Sequence, residues 1–108
     1  MITYAQALKC AKGDQRLHGV ERAFIEAPSA VVLVCWKRPL ITWRKSGRVD
    51  MRIPEQWPGH VVKYLISNYV GPLRHVHGIM QLVVNGVAYT SPKDGEWRVT
   101  ITPSGKVR

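Results

Sequence analysis

Between Pro58 and Gly71-Pro72 the apolar residues Val61, Val62, Leu65, Ile66, Tyr69 and Val70 recur at i, i+1, i+4, i+5, i+8 and i+9. Helical winding gathers that spacing into one face, since residues three and four apart return to the same side. Pro58 suits the first helical position, where a missing N–H is of no consequence, and Gly71-Pro72 ends the helix. A helix over about 58–70 with so wide an apolar stripe needs a partner surface. The flanking sequence offers strands.

Residues 30–36, Ala-Val-Val-Leu-Val-Cys-Trp, are apolar and largely β-branched, as a strand buried on both faces requires. Lys37-Arg38-Pro39 is the expected turn after it. Residues 40–44 and 48–53 then read as a hairpin around Lys45-Ser46-Gly47, with Gly47 taking the positive φ of the turn. Beyond the helix, segments 78–84, 87–91 and 96–102 form a second meander. Asn85-Gly86 is the turn between its first two segments, and Pro92-Lys93-Asp94-Gly95 the next.

At the N-terminus, Thr3 and Gln6 match a capping box and Gly13 a stop, predicting a helix over 3–12. Leu17, Val20, Phe24 and Ala27 keep helical spacing through 14–27. Gly19 interrupts that pattern, and Ala23-Phe24-Ile25 would also suit a strand; helix is the expectation. The fold class is α+β: an antiparallel sheet from two β-meanders, one main helix packed on it, and a helical N-terminal region, in one domain over 1–108. Residues 41–49 and 99–107 echo one another as strand, Ser-Gly turn, cation, valine. Shared turn chemistry explains this without duplication, and either origin sets Arg48 and Lys106 in comparable places.

The chain carries 16 Lys and Arg against 7 Asp and Glu among 108 residues, a formal charge of +9. Self-repulsion on that scale opposes compaction, and a polyanionic partner is its usual reason. From Lys37 to Arg52 there are six cations and one anion, Asp50. Regular strands would put Arg44, Arg48 and Arg52 on one face, with Met51 and Ile53 on the other. Cations on such a hairpin neutralise phosphates, and an adjacent Trp can stack on bases. The expected nucleic-acid-binding residues are therefore Lys37, Arg38, Trp43, Arg44, Lys45, Arg48, Arg52, Lys106 and Arg108. A core role for Trp36 and Trp43 is the plainer alternative.

Other chemistry is thinly represented. Arg74-His75-Val76-His77 puts two histidines on one face if extended, and with Arg74 or Lys93 could serve a small metal-independent nuclease. A polar loop is the simpler reading. His60, Cys35 and Asp94 add no zinc-site spacing, and no nucleophile motif or phosphate-binding glycine loop is present. No metal or cofactor is expected. Cys10 and Cys35 are too few for a disulfide framework, so both are expected reduced and buried in a cytoplasmic protein. The start Met-Ile-Thr-Tyr does not resemble a signal peptide, and the longest apolar run, Ala30–Trp36, is seven residues, short of a membrane span. The expectation is a small, non-enzymatic accessory or regulatory protein that binds DNA or RNA. Its rival is an inhibitor or adaptor, of the kind phages and plasmids carry, whose basic face docks an acidic protein surface.

Overall fold

The computed structural model describes residues 1–13, 22–55, 59–92 and 95–108. Helix α1 spans Tyr4–Lys12 and is closed at its start by a full capping box: Thr3 N–H donates to Gln6 Oε1 at 2.8 Å, and Gln6 N–H to Thr3 Oγ1 at 3.2 Å. Each bond satisfies a donor that the helix start would otherwise leave open. Gly13 N–H closes the other end on the Lys9 carbonyl. Helix α2 spans Gly59–Tyr69. Val62, Leu65 and Ile66 are buried along its stripe, as is Val70 just beyond, while Val61 and Tyr69 lie at its margins. The expected first helical residue, Pro58, lies outside the described residues. At the C-terminal end a Cβ on Gly71 would collide with the Val83 carbonyl oxygen, so glycine is needed there for close approach as well as for stopping the helix.

Among the described residues, eight antiparallel strands accompany the helices: β1 Arg22–Ala27, β2 Ala30–Cys35, β3 Arg38–Arg44, β4 Val49–Ile53, β5 Leu73–Val76, β6 Ile79–Val84, β7 Val87–Thr90 and β8 Trp97–Ile101. The architecture is α+β. The strands divide into two sheets, ordered β1-β2-β3-β4-β8 and β5-β6-β7. β8 thus leaves its neighbour in sequence, β7, and pairs with β4. Register places Val31, Trp43, Val49 and Ile101 in one inward row, and Leu33, Ile41, Met51 and Val99 in the next. These residues share a single buried cluster with Ala7 of α1, with Val62, Leu65 and Ile66 of α2, and with Leu73 and Leu82 of the smaller sheet.

Several details differ from the sequence expectations. Residues 22–27 form a strand where helical spacing predicts helix, because β1 pairs along its whole length with β2; Leu17 and Val20 lie outside the described residues. Leu73–Val76 is a strand where a polar loop is expected. β2 is fully buried on its inward face alone, with Val32 and Val34 half-buried on the other and Ile25 of β1 beside them 49% exposed. The turn after β2 falls at Trp36-Lys37, both left-handed with φ of 49° and 62°, one residue before the expected place. A two-residue turn of that hand matches the strand twist. A register shift at Leu33/Val34 then sets Pro39 opposite Val34 and turns both Leu40 and Ile41 into the core.

Candidate nucleic-acid interface

The β3–β4 hairpin turns through Lys45-Ser46-Gly47. Arg44 N–H donates to the Arg48 carbonyl at 2.8 Å, Gly47 N–H donates to the Arg44 carbonyl at 2.9 Å, and Gly47 has φ of 96°. The same turn occurs after β8. Thr102 N–H donates to the Lys106 carbonyl at 2.8 Å, Gly105 N–H to the Thr102 carbonyl at 2.9 Å, and Gly105 has φ of 90°. The chain then runs back along β8, with Thr100 and Arg108 exchanging both backbone hydrogen bonds. A Cβ on Gly47 would stand 3.3 Å from Pro103 Cβ, so the two turns lie side by side. The echo between 41–49 and 99–107 is therefore a pair of neighbouring hairpins with the same loop, in which Arg48 and Lys106 take equivalent positions.

This arrangement gathers cations on the outward face of the larger sheet. Thr42, Asp50 and Thr100 lie directly across from one another, and Arg108 pairs beyond Thr100. By the two-residue alternation of strands, Arg44, Arg48, Arg52, Arg98 and Lys106 share that face. All five, with Arg108, are exposed. With strands about 4.8 Å apart, the patch extends about 14 Å across β3, β4, β8 and the returning segment, and a similar distance along them.

Two carboxylates sit among these cations, and both are engaged. Asp50 accepts from Arg44 Nε at 2.7 Å, from Arg48 Nε at 3.3 Å and from Thr100 Oγ1 at 3.0 Å. Glu96 accepts from Arg98 Nε at 2.9 Å. Partial burial pushes the Asp50 carboxyl up, but the hydrogen bonds from Arg44 and Thr100 and the charges of Arg48 and Arg44 outweigh it, leaving its pKa below the ordinary 3.8. A depressed folded-state pKa stabilises the fold above the ordinary carboxylate range, and that contribution is lost as pH falls through the folded value. Asp50→Asn should therefore melt below the parent at neutral pH, with the two melting temperatures converging as acidification carries pH below the depressed folded-state pKa of Asp50. A gap that persists at low pH would assign the effect to packing instead.

The structure brings together Arg44, Arg48, Arg52, Lys106 and Arg108 of the residues expected from sequence, with exposed Lys45 at the rim in the turn. Arg38 begins β3, at the end opposite Arg44, and Lys37 lies in the turn before it. Trp43 is not a surface residue. It is 1% exposed, stacked on Phe24 at 5.8 Å between ring centroids and edge-on to Tyr69 at 6.3 Å, so it offers no face to a base. Its inward place follows from the same alternation that sends Thr42 and Arg44 outward. Arg98 is the residue the sequence reading misses. The alternation Glu96-Trp97-Arg98-Val99-Thr100-Ile101 marks it as outward-facing, but nothing local indicates that β8 lies beside β4.

The histidines do not converge. His75 lies in β5 opposite Met80, and His77 occupies the following turn with φ of 50°. Lys93 and Asp94 lie outside the described residues, as does the side chain of His60. Among the described residues, no three His, Cys, Asp or Glu side chains cluster as metal ligands would. Cys35 is buried in β2, Cys10 is half-buried on α1, and no bridge joins them. No described helix is long and apolar enough to cross a membrane. Searches against family models, curated proteins and solved structures found no match to this chain.

Proposed function

We propose that this chain is a small nucleic-acid-binding protein, accessory or regulatory rather than enzymatic, that holds the phosphate backbone of DNA or RNA against the outward face of its larger sheet. The observation that carries this reading is the convergence of Arg44, Arg48, Arg52, Arg98, Lys106 and Arg108 on one exposed face whose two carboxylates are already paired. Guanidinium groups suit the task because their planar donors meet phosphate oxygens two at a time. Asp50 supports it by holding Arg44 and Arg48 on one carboxylate, which fixes their positions before any ligand arrives. The described residues of the patch include no aromatic side chain, so this reading rests on contacts from cations and not on base stacking.

The test is a salt titration of affinity for unrelated duplex and single-stranded oligonucleotides. Log affinity should fall linearly with log salt concentration, with a slope of about −0.9 per phosphate contact on duplex DNA and nearly the same slope for every sequence. Absence of measurable affinity at low ionic strength would end this reading. The basic face would then belong to a protein that docks on an acidic partner.

A further inference from the structure

Arg52 and Arg98 occupy directly opposed positions on β4 and β8. Thr100 spends its backbone N–H and carbonyl on Arg108, on the side away from β4, so Thr100–Asp50 is a non-hydrogen-bonded pair. Alternation makes Arg52–Arg98 another, the closer of the two pair types, with Cα atoms about 4.5 Å apart. Like charges so placed repel each other and weaken the sheet. Arg98 relieves this in part by donating Nε–H to Glu96, which leaves its terminal nitrogens available. Arg52 has no hydrogen-bond or ion-pair partner among the described residues. The contrast with Arg44 and Arg48, which share Asp50, is direct: Glu96 engages Arg98 alone, and no carboxylate among the described residues bridges Arg98 and Arg52.

We propose that Arg52 and Arg98 together form the seat of one phosphate group of a bound nucleic-acid backbone, the external anion taking between them the place that Asp50 takes between Arg44 and Arg48. This rests on the nucleic-acid reading and adds to it a defined anchor point. The ligand is a phosphodiester. A free phosphate has similar oxygens, so the experiment separates the two.

The experiment compares the full chain with R52Q, R98Q and the double variant, by duplex affinity across a salt series and by thermal melting. One shared phosphate predicts that each single change costs about eightfold in affinity at 0.1 M salt and lowers the salt slope by about 0.9. The double variant then loses little more than either single one. Relief of repulsion predicts that free R52Q melts about 1–5 °C above the parent, a gain that a merely structural arginine would not give. Losses that multiply to about sixtyfold with twice the change in slope would mean two separate contacts and overturn the seat. Unchanged affinity and slope in both single variants would also overturn it, while leaving the nucleic-acid reading standing. Stabilisation of the parent by inorganic phosphate over chloride at equal ionic strength, abolished in R52Q while duplex affinity is unchanged, would assign the seat to a free anion and overturn the phosphodiester. A parent protein with no affinity for any oligonucleotide is the separate failure of the underlying function.

Discussion

Replacing Trp43 with alanine is expected to destabilise the fold by about 3–5 kcal/mol. Small domains have total stabilities of about 5–15 kcal/mol, so this single change removes a large share. Trp43 joins three elements. Its ring stacks on Phe24 of β1, meets the edge of Tyr69 of α2, and itself belongs to β3. Phe24 and Tyr69 complete the triangle, edge to face at 5.3 Å. Removing the indole empties the place where both helical and sheet layers meet, and close-packed surroundings collapse into such a void only in part. Trp43→Phe should recover most of the loss, because the indole Nε1 is buried without a hydrogen-bond partner and phenylalanine forfeits no bond. Urea denaturation reads both effects as shifts in midpoint. A loss below about 0.5 kcal/mol for Trp43→Ala would contradict the buried placement.

The second large effect concerns affinity. Neutralising Arg48, Lys106 and Arg108 together, each to glutamine, should weaken duplex binding by about two to three orders of magnitude at 0.1 M salt. The estimate follows from counterion release, which makes each phosphate contact worth about eightfold at that concentration. The same three changes should leave the protein folded, with loss of the Arg48–Asp50 pair the main cost to the melting temperature, since the other two exposed cations contribute little to folding. Neutralising Lys37 and Arg38, at the far end of β3, should leave the salt slope unchanged. Equal losses from the two sets would mean that overall charge, rather than this face, governs binding.

Much of the fold is legible where the determinants are local. The capping box of α1 lies within four residues, and the stripe of α2 repeats within three turns. Asn85-Gly86 and Gly47 mark their hairpins because few other residues adopt positive φ without strain. Legibility fails where pairing decides. Phe24 and Ala27 fit a helical pattern, but a strand there gains a full ladder with β2, and tertiary pairing overrides the local period. β5 is too short to display an alternation, and Leu73 is its one buried residue.

The residues of the candidate site divide in the same way. Arg44, Arg48 and Arg52 are visible as a charge alternation along one hairpin, and the turn echo draws attention to Lys106. Arg98 is hidden because its place depends on β8 crossing to β4. Trp43 fails as a stacking candidate for a simple reason. It is odd-numbered in a strand whose even-numbered neighbours carry the polar face, so it must point inward with Ile41.

The pairing of β4 with β8 also sets an order of events during synthesis. The hydrogen bond from Thr100 Oγ1 to Asp50 closes a loop of 50 residues, and contacts at such separation form late because chain entropy opposes them. Until β8 is available, β4 is a bare sheet edge and Arg44, Arg48 and Arg52 stand without Arg98, Lys106 and Arg108 beside them. Docking of β8 converts that edge into an interior ladder and, in the same step, brings Arg98, Lys106 and Arg108 alongside. A nascent or truncated chain therefore has most of the charge but not the surface. On the proposed nucleic-acid reading, full binding strength would be reached only once β8 has docked on β4.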